Sequence, residues 1–124
     1  MVWKGVVIKE SLENESLLGL VKIIRSRKTT LENEDQRGFL TFLNVEIEDE
    51  NKNSFVKKAC SLIKDRFYIH IVKESKMTVI YKGRVFEFSA RDINELEEAR
   101  NYGLSIGIFK EQMPFEELIK NPWS

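Results

Sequence analysis

The stretch FYIHIVK-ESK-MTVIYKGRVFEFS, residues 67–89, decides how the chain is read. Apolar residues alternate through it and its interruptions are short, so it predicts three consecutive antiparallel strands. Lys82-Gly83 serves as a two-residue hairpin turn, because Gly83 tolerates the positive φ such turns need. Tyr81 then faces Arg84, Ile80 faces Val85, Val79 faces Phe86 and Thr78 faces Glu87. Glu74-Ser75-Lys76 reads as a three-residue loop, which sets Lys73 opposite Met77, Ile71 opposite Val79 and His70 opposite Ile80. With a side-chain period of two, one face gathers Phe67, Ile69, Ile71, Met77, Val79, Tyr81, Phe86 and Phe88, and is expected to be core. The other carries Tyr68, His70, Val72, Thr78, Ile80, Val85 and Glu87.

That second face is too polar for a core and too apolar for a solvated surface. In one reading the tail docks over it, since Tyr102, Leu104, Ile106, Ile108, Phe109, Met113, Phe115 and Trp123 need burial. His70, the only histidine, is then a half-buried residue with a backbone or tail partner. In the other reading the face is the floor of a pocket or a partner interface, with Tyr68, His70, Thr78 and Glu87 as its polar contacts. Tertiary cover of a sheet is the commoner need, so the first reading is preferred.

Outward from this stretch, Met1 to Lys9 predicts a strand, with Val6, Val7 and Ile8 buried and Gly5 as its weak point. A short helix over 12–20 and a strand over 21–31 follow, then a polar turn over 33–38 and a strand over 39–48 with Leu43, Val45 and Ile47 on one face. Residues 51–65 predict a helix whose stripe holds Phe55, Val56, Ala59, Cys60, Leu62 and Ile63, with Asn51 or Asn53 as cap. After the meander, Asp92 and Glu95 have capping-box spacing for a helix ending at Gly103, and Pro114 opens a short one.

The order strand, helix, strand, strand, helix, strand resembles a split βαβ, ferredoxin-like sheet, by analogy of element order alone. The expected fold is one α+β domain over residues 1–124. It has a mainly antiparallel sheet with helices on one face, and a C-terminal hairpin and helices beyond the split βαβ order.

A chain of 124 residues can bury a core without disulfides or metal, and 42% hydrophobic with 32% charged residues marks a globular rather than disordered chain. Twenty basic and twenty acidic residues cancel, so the molecule as a whole has no electrostatic reason to seek nucleic acid or anionic lipid. No apolar run approaches the roughly 20 residues that span a bilayer, and no membrane association is expected. One cysteine and one histidine cannot complete a four-ligand zinc site, and no cofactor or metal is expected. The single cysteine and the absence of a signal-peptide pattern make the cytoplasm the expected compartment.

Candidate chemistries are few. Cys60 lies on the apolar stripe of its helix, where a thiol is an inert packing residue, and no Gly-x-Ser-x-Gly elbow is present. Gly103-Leu-Ser-Ile-Gly107 has neither Walker A nor dinucleotide spacing. Glu46, Glu48 and Glu50 would share a strand face and form at most a weak divalent-cation site; Glu32, Glu34 and Asp35 read as solvated turn charge. Lys22, Arg25, Arg27 and Lys28 fall in seven residues, a basic strand for RNA to contact. The same charges protect an edge strand from aggregation, and that reading holds unless a contiguous basic patch forms.

By elimination, the expected function is a small non-enzymatic protein-interaction domain, binding a protein partner or a second copy as a homodimer. Trp3 and Trp123 would pack together or anchor that interface. A ligand-binding or enzymatic pocket at Tyr68, His70 and Glu87 comes second. RNA binding through Lys22–Lys28 is third and nucleic acid is not the expected partner.

Overall fold

In a computed structural model that describes residues 1–29 and 38–123, the chain forms a six-stranded antiparallel sheet with helical segments on both faces. The strands are β1 (Val2–Ile8), β2 (Lys22–Thr29), β3 (Leu40–Glu48), β4 (Ile69–Lys73), β5 (Lys76–Tyr81) and β6 (Arg84–Ser89), in the spatial order β2-β3-β1-β4-β5-β6. The α-helices are α1 (Lys52–Leu62), α2 (Ile93–Ser105) and α3 (Phe115–Lys120). The β1–β2 and β3–β4 connections each skip one strand, so the first four strands interleave and the β5–β6 hairpin widens the sheet. The α+β class and the antiparallel sheet are as the alternation predicted. Residues 33–37 of the expected turn, the end of the expected strand at 30–31, and the acidic group Glu32, Glu34 and Asp35 lie outside the described residues.

One hairpin departs from expectation, and with it every face assignment in β4. The β4–β5 turn has two residues, Glu74 and Ser75, with φ of 49° and 69°, so Lys73 pairs with Lys76 rather than with Met77. His70 therefore sits opposite Val79, Ile71 opposite Thr78 and Ile69 opposite Ile80. Two consecutive left-handed residues are the demand of the commonest hairpin turn, and Glu and Ser are not the residues that announce it. A one-residue slip moves a strand's whole apolar set to the opposite face. Ile69 and Ile71 accordingly share a face with Thr78, Ile80, Val85 and Glu87, while Tyr68, His70 and Val72 join Met77, Val79, Tyr81, Phe86 and Phe88.

Both faces are core, which corrects the expectation of helices on one face. On the first, α1 inserts Phe55 and Ala59 among Val7, Leu43, Val45, Ile47, Ile69, Ile71 and Ile80. On the second, α2 and α3 lay Leu96, Ala99, Phe115, Leu118 and Ile119 over Val72, Met77, Val79, Tyr81 and Phe88. At roughly 1.5–3 kcal/mol for each large apolar side chain buried, both layers are indispensable to stability.

Local chemistry adjusts the element ends. The segment expected to be helical over 12–20 is instead 3-10, at Lys9–Ser11 and Glu15–Leu20. Asp92 stands at the N-cap of α2 but does not cap it; its carboxylate accepts from Ser89 N and Oγ at 3.0 and 3.1 Å. Likewise, Asn51 makes no side-chain cap to α1. The α2 helix runs through Gly103 and stops before Gly107, whose φ of 96° reverses the chain. Gly103 has a packing role, since a Cβ there would lie 2.3 Å from Met113 Sδ and 2.8 Å from the Tyr81 hydroxyl.

Candidate functional site: a cleft beside the C-terminal layer

Polarity along the second face changes at the middle of the sheet. The row through His70 reads Arg25, Asn44, Val6, His70, Val79 and Phe86, and the next reads Lys22, Glu46, Lys4, Val72, Met77 and Phe88. The apolar half, β4 to β6, lies under α2 and α3. The other half, β1, β3 and β2, keeps Arg25 and Arg27 exposed. Between the open half and the C-terminal layer runs a cleft of about 300 Å³. Its floor is Val6, Ile8 and Phe42, its far wall includes Pro114 and Leu118, and Arg27, Thr29, Arg66, Gln112 and one acid, Glu111, supply polar groups.

The two guanidinium groups come from unrelated parts of the chain. Arg27, on edge strand β2, lies over the Phe42 ring at 5.2 Å from its centroid. Arg66 sits in the α1–β4 connection at a φ of 68°. Its guanidinium donates to the Gly107 carbonyl at 3.5 Å, and a Cβ on Gly107 would come within 3.0 Å of its Nε. The absence of a side chain at 107 thus lets Arg66 lie along the end of α2.

The four residues proposed as one polar site divide between the two faces. Tyr68 and His70 line the cleft. The Tyr68 hydroxyl donates to the Gln112 carbonyl, and burial pushes its pKa well above the ordinary tyrosine value. His70, 4% exposed, places Nε2 2.8 Å from the Pro122 carbonyl. A carbonyl only accepts, so Nε2 carries the proton in the neutral ring. Burial pushes the His70 pKa down to about 4, against the opposing pull of the Pro122 carbonyl. The imidazole is neutral at physiological pH and is covered by the tail, as the first of the two readings of that residue held.

Thr78 and Glu87 lie beyond the sheet, on the α1 side. Thr78 Oγ1 donates to Glu87 Oε2 at 2.8 Å, and Lys52 Nζ at the start of α1 approaches the same oxygen at 2.6 Å. The Lys52 hydrogen bond holds the Glu87 carboxyl below its ordinary pKa, against partial burial and with help from Thr78. Cys60 is also in α1, packed on the first-face core, so the sheet separates it from His70. The tryptophans are divided too. Trp3 is buried on the first face with Lys52 over its ring, while Trp123 donates to the Val45 carbonyl at 3.3 Å and lies beneath Lys4.

The basic run is regrouped by a β-bulge. The β2–β3 register passes from Ile23↔Val45 to Arg25↔Asn44, leaving Ile24 as the extra residue. Lys22, Arg25 and Arg27 consequently oppose Glu46, Asn44 and Phe42 and share the cleft face, while Lys28, opposite Thr41, points the other way. Glu46, Glu48 and Glu50 do not converge, because β3 ends at Glu48 and turns into a 3-10 segment; among the described residues no three acidic, histidine or cysteine side chains gather. Arg66 and Phe42 were not singled out in the sequence, and neither carries a local signal. What unites them with Arg27 is the return of the chain after α1 and the halting of the C-terminal layer short of β2.

Among the described residues no helix is long and apolar enough to cross a membrane. Comparison with protein-family models, with curated proteins and with solved structures finds no match.

Proposed function

We propose that the protein is a binding domain whose cleft takes a small anionic ligand with a flat apolar body. One observation carries this reading: Arg27 and Arg66 both line a cleft of about 300 Å³ whose floor is apolar and includes an aromatic ring. That volume is at the small end for ligand sites, and a few convergent polar groups over an apolar floor are their usual make-up. Guanidinium forks pair with phosphate or carboxylate, and the Arg27–Phe42 stack offers a plane for a ring to lie on. A catalytic role has less support, because the His70 Nε2 proton is engaged by Pro122 and the ring is a weak base with a pKa of about 4. The free thiol of Cys60 suits a reducing cytoplasm.

Phenyl phosphate and uridine 5′-monophosphate are suitable probes, with uridine and inorganic phosphate as controls. Both probes are expected to raise the melting temperature in proportion to the logarithm of their concentration, and Arg27→Ala and Arg66→Ala each to weaken them tenfold or more. No stabilisation by either probe at millimolar concentration, or equal stabilisation of both variants, would contradict the reading.

A protein-interaction role has one observation in its favour, the exposure of Ile23 and Ile24 on the edge strand β2. A homodimer through β2 is opposed by charge, since four cations of one copy would face four of the other. A protein strand docked there would have to be acidic.

A further inference from the structure

We propose that the cleft holds one nucleotide of a single-stranded nucleic acid whose backbone continues along β2; this rests on the anionic-ligand reading of the cleft. The bulge at Ile24 is the first support. Lys22 and Arg25 are three positions apart and would point to opposite faces of a regular strand. The extra residue turns Lys22, Arg25 and Arg27 onto one face, the one into which the cleft opens. Same-face residues on a strand repeat at about 7 Å, close to the phosphate step of an extended single strand.

Charge balance is the second support. The β2 strand contains four cations and no acid. Among the described residues Lys22, Arg25 and Arg27 enter no salt bridge, and the acid in their stripe is Glu46, opposite Lys22 and Lys4. The ion pairs among the described residues lie elsewhere, as in Lys73–Asp49, Lys52–Glu87 and Arg100–Glu97. The cleft terminates this track with the Arg27–Phe42 stack, the arrangement on which an unpaired base lies. A duplex is a poor fit, because the cleft has room for a single ring system and the C-terminal layer rises beside it.

Fluorescence anisotropy with the full chain tests this, using fluorescein-labelled 12-mers of oligo(U) RNA and oligo(dT) DNA, a duplex, and a 12-mer of polyglutamate. The single strands should bind at least tenfold tighter than uridine 5′-monophosphate. Three cations on the backbone give a logarithmic salt slope of about −2. Lys22→Glu with Arg25→Glu should lower single-strand affinity tenfold or more, and both side chains are exposed, so the fold tolerates the change. Preference of one sugar over the other identifies RNA or DNA as the source. If the mononucleotide binds but the single strands gain nothing over it, or charge reversal leaves them unaffected, the proposal fails while the cleft reading stands. If neither binds, both fall. Equal or tighter binding of the duplex or of polyglutamate also overturns the proposal, the latter in favour of an acidic protein strand on β2.

Discussion

His70 shows how far a single residue's identity can mislead when its burial is unknown. As the sole histidine it is the natural place to look for proton chemistry, yet it is buried and its Nε2–H is held by the Pro122 carbonyl. A pKa near 4 in the fold, against an ordinary value of about 6.5 once unfolded, means that the unfolded chain takes up the proton first. His70 therefore costs no stability above about pH 6.5, and its penalty grows as the pH falls towards 4, to on the order of 3 kcal/mol. Glutamine at this position keeps a donor for Pro122 and cannot be protonated. Urea unfolding should show His70→Gln losing about 2 kcal/mol less than wild type between pH 7 and pH 4.5. Parallel pH profiles would contradict a buried neutral imidazole. Tail cover over His70 was legible because Met113, Phe115 and Trp123 had to bury somewhere; the divorce of Thr78 and Glu87 from it was not.

Elements were legible wherever periodicity ran uninterrupted. The strands at 2–8, 40–48, 76–81 and 84–89 and the helix at 52–62 stand close to where the apolar pattern put them, and the helix at 93–105 close to where the Asp92–Glu95 spacing put it. Misreadings arose at junctions, where one residue's backbone state decides and side-chain chemistry gives poor notice. Glu74 and Ser75 in left-handed conformations reversed the faces of β4, and Ile24, extra in its ladder, gathered three cations that alternate in the sequence. Gly5, read as the weak point of β1, leaves no room for a side chain beside β4. A Cβ there would lie 2.0 Å from the His70 carbonyl oxygen and 2.9 Å from Ile71 Cγ2. Since the obstruction is backbone, Gly5→Ala should destabilise by about 3 kcal/mol or more, seen as a lower urea midpoint. Gly19→Ala, with nothing within 4 Å, should change stability by less than about 0.5 kcal/mol. Equal effects of the two would show that β1 and β4 can part without cost.

On the scale of the whole molecule, the sheet is clothed over its central strands on one face and over β4 to β6 on the other. The reason is the supply of apolar side chains. The C-terminal segment provides Leu96, Ala99, Met113, Phe115, Leu118 and Ile119, enough to cover β4 to β6, and its last residues reach only as far as His70, Lys4 and Val45. Beyond that line the face turns to Phe42, Asn44, Arg25 and Arg27. Sequence patterns specify which residues need cover but not where a cover stops, and the cleft exists at that stopping line. Amide chemical shifts in a ¹⁵N-labelled sample titrated with uridine 5′-monophosphate test its role as a binding site most directly. The changes should concentrate at Val6, Arg27, Phe42, Arg66 and Leu118 and leave α1 and β6 unmoved. Changes centred on α1 or β6, or none at millimolar ligand, would contradict it.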